Sequence, residues 1–259
     1  MRCLSKLPLF VLPLALAVLA VPARADDLAP KGRDIFKQHQ QAVVTVQTVL
    51  KLSRGGRSSE NRQELTGTVV DPSGLTVLAL SACDPSEMYQ RMTAGESSQD
   101  KLETEVTDIK ILLADGAELP AEMVLRDKDL DLAFLRPDPA PAQPLTAVDL
   151  TASAKTDILE ETLVLQRLGE VANRVPGAVL DQVEGVIQKP RLMYVPGLNG
   201  QSCSLGAPVF TLDGKVIGIL VNRFPAAGGG REERGPMTVL LPAEDVLEVA
   251  KQAPAPAAK

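Results

Sequence analysis

The sequence is poor in the residues that most often carry chemistry. It has 259 residues but one histidine, three cysteines, two tyrosines, five phenylalanines and no tryptophan. A zinc site built on two or three imidazoles is therefore impossible. Any mechanism pairing serine or cysteine with histidine must use His39. The formal net charge is −6, and there is no basic cluster. Nucleic acid needs cations for its phosphates and flat rings for its bases, so it is excluded as a partner. No cofactor motif and no metal-ligand spacing occurs, so neither is expected.

The amino terminus carries Arg2 and Lys6, then an apolar, proline-containing run from Leu7 to Val21, then Ala23-Arg24-Ala25. That order is a secretory signal peptide over residues 1–25, with cleavage expected after Ala25. The run is shorter than the roughly 20 residues of a spanning helix, and no later segment is long enough. A secreted or periplasmic protein with no membrane span after cleavage is expected. Loss of Arg2, Lys6 and Arg24 would take the charge to −9. Cys3 leaves with the signal. Cys83 and Cys203 remain, either paired as exported cysteines can be or buried as two small apolar side chains. The sequence leaves both open.

Along the chain, residues 30–41 read as a short helix. From Ala42 onward β-branched residues crowd together. Strands are expected over 43–50, 65–70, 75–80, 109–113, 119–125 and 132–135, with Leu52 to Arg62 and Asp84 to Thr107 as loops. Asp71-Pro72-Ser73-Gly74 and Ala114-Asp115-Gly116 supply the turn chemistry. Four prolines fall between Pro137 and Pro144, a density that stops helix and ladder alike. A second strand set follows over 162–168, 171–180, 185–187, 208–211, 216–221 and 238–241. Asn222 to Pro236 reads as a glycine- and arginine-rich loop, Pro242 to Gln252 as a closing helix and 253–259 as a disordered tail. Short strands with turns at roughly 8 to 12 residue spacing indicate sandwiches or barrels.

Three segments, in order, resemble the protease domain of the HtrA (Deg) type of trypsin-like serine proteases. Leu65 to Ser81, with its Asp-Pro-Ser-Gly turn, is similar to the stretch leading to the catalytic histidine, and Ser81 stands at that position. Ile109 to Leu135 contains Arg126-Asp127 and Asp131-Leu132-Ala133, and is similar to the stretch whose last aspartate orients the histidine; that acid is Asp131. Gln201 to Leu220 is similar to the nucleophile segment. Pro208 fixes its register, which places Cys203 at the first glycine, Ser204 at the asparagine and Leu205 at the serine.

The resemblance covers about Ile35 to Gln252. It implies an all-β fold of two six-stranded trypsin-like β-barrels, over 30–136 and 148–252, joined by the Pro-rich linker 137–147. A short helix precedes them and a helix closes them. It gives no counterpart of the family's PDZ module. It also implies lost catalysis. Serine at position 81 cannot accept a proton at neutral pH, and Leu205 has no heteroatom. Cys203 replaces a glycine of the oxyanion turn. Ser204 is the fallback nucleophile. Asp131 is then either a solvated turn acid beside Asp127 and Asp129, or a buried carboxylate whose partner is a hydroxyl such as that of Ser81. Cys83 and Cys203 would face each other across the cleft, where a bridge could form. The loop residues Arg223, Arg231 and Arg234 form either a binding lip or a solvated loop. The function implied is an inactive protease homologue that binds a peptide or protein in its cleft. An endopeptidase with another residue set and a structural protein with a filled cleft are the alternatives. The sequence leaves the oligomeric state open.

Overall fold

A computed structural model describes residues 28–86, 88–89, 103–225 and 235–256. The signal-peptide reading, part of the long charged loop, Arg231, Arg234 and the last three residues lie outside these. Helix α1 (Leu28–His39) leads into strands β1 (Val43–Arg54), β2 (Arg57–Val69), β3 (Thr76–Ala79), β4 (Glu103–Leu112), β5 (Glu118–Asp127) and β6 (Leu132–Pro137). These close a barrel in the order β1-β2-β3-β6-β5-β4. Strands β7 (Glu161–Arg167), β8 (Pro176–Ile187), β9 (Met193–Pro196), β10 (Pro208–Thr211), β11 (Val216–Arg223) and β12 (Met237–Pro242) close a second, in the order β10-β11-β12-β9-β8-β7. A final helix, α2, covers Ala243–Ala250. The expected all-β architecture of two six-stranded barrels, with a helix at each end, is present.

The strands differ from expectation where side chains are polar. Leu52 to Arg62 is a continuous hairpin, not a loop. Gly55 and Gly56, at φ 56 and 76, supply the two left-handed residues of a tight two-residue turn. The mostly exposed residues beyond Leu50 pair backbone to backbone without contributing to a core, so they carry no apolar alternation. In the second barrel, the runs 171–180 and 185–187 belong largely to the single strand β8, and β9 has only four residues.

Alternation along each strand divides the core in three. Val44, Val46, Leu78, Ala133 and Leu135 fill the first barrel. Val164, Val209, Ile217, Leu220 and Leu240 fill the second. The intervening residues Val43, Val77, Leu132 and Phe134 point out of the first barrel onto Leu163, Phe210, Ile219 and Val221 of the second. Ile35 of α1, Val246 of α2 and the connecting residues Val148 and Leu150 complete that third cluster. The seam between the barrels is thus the largest continuous apolar region, and the candidate site lies along its rim.

Candidate functional site

The first barrel presents Asp131 at the junction. Asp127 at the end of β5 accepts the amides of Asp129 and Leu130, each at 3.0 Å, which turns the chain. Asp131 follows in a left-handed conformation, φ 58, one that aspartate tolerates better than most residues. Its carbonyl accepts the Leu80 amide at 2.9 Å. Its carboxylate accepts the Ser81 amide at 2.6 Å and the Ser81 hydroxyl at 2.9 Å. The second barrel adds the Asn222 amide on the same carboxylate, at 2.7 Å, and the Asn222 side-chain amide on Ser81 Oγ, at 3.0 Å. Asp131 is 3 % exposed. Of the two readings open for it, the buried carboxylate satisfied by the Ser81 hydroxyl is the one present. Burial raises its pKa to about 6 against the lowering effect of the three donors.

Leu205 and Ser204 sit opposite, in the turn before β10. Four backbone amides of this turn are engaged within the protein. Cys203 donates to Gly200 O at 3.0 Å, Ser204 to Gln166 Oε1 at 2.9 Å, Gly206 to Leu220 O at 2.7 Å and Ala207 to Ser204 O at 3.3 Å. Gly206 lies at φ 85, and a side chain there would collide with the Thr66 carbonyl oxygen. Its own carbonyl accepts the Thr68 hydroxyl at 2.8 Å. The turn is therefore fastened to β2 of the other barrel. A cleft of about 410 Å³ runs alongside, lined by Thr66, Ala82, Arg167, Ser204 and Leu205 among others. Arg167 is held by the carbonyls of Val43, Gln40 and Arg174. Glu64 and Arg174 tie the barrels at the cleft's far end, at 2.6 Å.

The cysteine bridge is not formed. Cys83 and Cys203 are both free and buried. Cys83 packs inside the first barrel and Cys203 inside the second, so each serves its own core. Burial pushes the Cys83 thiol up to about 12 and that of Cys203 up to about 11. His39 stacks on Phe210 with ring centroids 4.6 Å apart. Its Nε2 is buried with no hydrogen-bond partner, and burial lowers its pKa. Its place is in the helix–barrel packing. Among the described residues, no cluster of acidic, histidine and cysteine side chains could hold a metal, and no helix is long and apolar enough to cross a membrane.

The sequence profile of the trypsin-like peptidase domain matches residues 65–219. The chain belongs to this family. A probable periplasmic serine endoprotease, DegP-like, from Halomonas elongata is 28 % identical over 149 residues, 56 % of this chain and 30 % of its own length. The chain thus spans less than a third of that relative. Among solved structures, the HtrA-type protease AlgW with a tripeptide aligns over 85 % of this chain and 62 % of its own, at TM-score 0.53 and 16 % identity. The apo protease domain of MamO from Magnetospirillum magneticum aligns over 82 % of this chain and 97 % of its own, at TM-score 0.50 and 12 % identity. At those identities the likeness is one of fold.

The geometry brings together Ser81 and Asp131, and puts Ser204 and Leu205 at the cleft beside them. It also adds Asn222, which sequence reasoning had placed only at the start of a loop. The available signal was its position as the first polar residue after the apolar run Val216 to Val221 of a strand that borders the other barrel.

Proposed function

We propose that this trypsin-like domain is a catalytically silent HtrA-like homologue, an exported scaffold that holds a peptide or protein segment in the cleft between its barrels. The reading rests on one observation above all: the Asp131 carboxylate is occupied by Ser81 and Asn222. In a serine protease such a carboxylate orients an imidazole, and the imidazole takes the proton of the nucleophile. A serine hydroxyl that donates to Asp131 has no basicity to offer at neutral pH. By the family resemblance Leu205 takes the nucleophile's position, and its side chain has no atom to attack with. The amide of Cys203, at the glycine position of the oxyanion turn, already has an internal acceptor in Gly200 O, which weakens an oxyanion site there.

Neither Cys203 nor the fallback nucleophile Ser204 supplies the missing chemistry. Cys203 is buried, its Sγ bonds Asn199 O at 3.2 Å, and its raised pKa keeps it a thiol at neutral pH. The hydroxyl of Ser204 needs a base, and the chain's one histidine, His39, is stacked on Phe210. The cleft has room, about 410 Å³ with both apolar and polar walls, which favours binding over a filled, purely structural groove.

The test is labelling of the purified protein with a fluorophosphonate, beside digestion of unfolded casein. Neither label nor cleavage is expected. A label on Ser204, mapped by peptide sequencing, would replace the scaffold reading with an endopeptidase that uses another residue set.

A further inference from the structure

Away from the cleft, the second barrel carries a pocket of about 440 Å³ between β8, the turn before β7 and the segment after β9. Its rim is apolar and open to water. Leu159 is 71 % exposed and Leu198 78 % exposed, and Leu28 and Leu180 continue the same wall. Its floor holds Asp181, which is 8 % exposed. Among the described residues the Asp181 carboxylate has no hydrogen bond and no ion pair. Its oxygens lie against Gly197 and Gly200 at the pocket wall, where a cationic donor entering the pocket would meet a carboxylate that no protein group neutralises. Glu161 and Glu184 stand at the edge, and none of the described lining residues is a lysine or arginine.

Leu159 adds an independent sign. Its backbone lies at φ 66, a conformation disfavoured for a bulky side chain. Hydrogen bonds hold it there, from the Leu159 amide to Val183 O at 2.8 Å and from the Val183 amide to Glu160 O at 3.1 Å. The strain keeps a leucine in water over the pocket mouth, where packing alone gives no reason for it. Backbone strain of this kind collects at ligand clamps.

We propose that this pocket binds an extended peptide segment in which a lysine or arginine is flanked by apolar residues. The cation enters to meet Asp181, with Glu161 and Glu184 attracting it at the mouth, and the flanking side chains lie on Leu159, Leu180 and Leu198. A metal ion does not suit the site, since the described acidic side chains do not converge on any point that could hold one. A cation on a flexible chain can reach a recessed carboxylate, and an apolar rim buries its stem and neighbours. The site is separate from the cleft and needs no catalysis, so it does not depend on the scaffold reading.

The test is a fluorescence-anisotropy titration of the purified protein with a labelled octapeptide alternating leucine and arginine. Two matched peptides carry glutamate or serine in place of arginine. Binding is expected for the arginine peptide alone, weakening with salt. Asp181→Asn and Leu159→Ser should each reduce affinity at least about fivefold, and Leu205→Arg in the cleft should leave it unchanged. Leu159 is exposed, so its substitution reports on the site even if Asp181→Asn fails to fold. Absence of binding, or affinity indifferent to Leu159→Ser, would overturn the proposal. Loss on Leu205→Arg would move the binding to the cleft. Equal binding of the serine peptide would make the site an apolar contact instead, such as one with a second copy of the chain.

Discussion

Asp131 lets the balance between burial and hydrogen bonding be measured directly. Its carboxylate sits at the barrel junction with three donors, yet burial prevails and sets its pKa near 6 rather than the ordinary 3.8. Between these values the folded chain holds a proton that the unfolded chain has released, so stability falls as pH rises through about 6. The full difference is about 3 kcal/mol, on the scale of a small domain's margin. Asp131→Asn keeps the shape and removes the titration. Chemical denaturation of both proteins across this range isolates the contribution, because the other carboxylates cancel in the difference. Wild type should gain up to about 3 kcal/mol on the variant as pH is lowered from neutral to the ordinary carboxyl range. A flat difference, or one of opposite sign, would refute the reasoning. A flat difference would mean that Ser81 and Asn222 offset burial, and one of opposite sign that they outweigh it and keep Asp131 ionised well into acid.

Three further outcomes follow from the same geometry. Gly206→Ala would set a methyl group against the Thr66 carbonyl at a left-handed backbone position, and should cost about 3 kcal/mol or more, read as a fall in Tm. Cys83 and Cys203 should both resist a thiol reagent in the native protein at neutral pH and both react after unfolding, since burial holds their pKa values near 12 and 11; rapid native labelling of either would contradict its burial. Glu64, whose pKa is lowered by hydrogen bonds from Arg174 and Gln47 against its own burial, stabilises the fold above its ordinary value of 4.5 and loses that contribution as acid protonates it. Glu64→Gln should therefore flatten the acid limb of the stability profile, and an unchanged limb would show the pair to be without effect.

What could be read from the sequence was local or carried by resemblance. Asp71-Pro72-Ser73-Gly74 is a turn because proline and glycine fix the backbone there, with the Ser73 amide on Asp71 Oδ1 at 2.8 Å. The partnership of Ser81 with Asp131 was one of two readings the sequence left open, and the burial of the carboxylate decides between them. The distal half of the first hairpin was missed because its polar residues on two exposed strands carry no period. The four-residue β9 offers too few positions for any alternation to show. Asn222 and Asp181 were illegible for another reason: their roles come from neighbours 91 residues away in the one case and from a pocket wall assembled from four separate segments in the other. The cysteine pair is the instructive case, because each side chain packs into the core of its own barrel.

The apolar seam has a consequence for how the chain can be divided. Each barrel turns alternate residues of its strands outward, and these residues have no cover except the other barrel, the helices and the connecting segment. A fragment ending in the proline-rich stretch would leave Val77, Leu132 and Phe134 bare, and the complementary fragment would leave Phe210, Ile219 and Val221 bare. Neither half should fold alone, while the two supplied together should recover the native state by complementation. The intact chain should melt in a single calorimetric transition, because the surface that joins the halves is the surface that each half lacks.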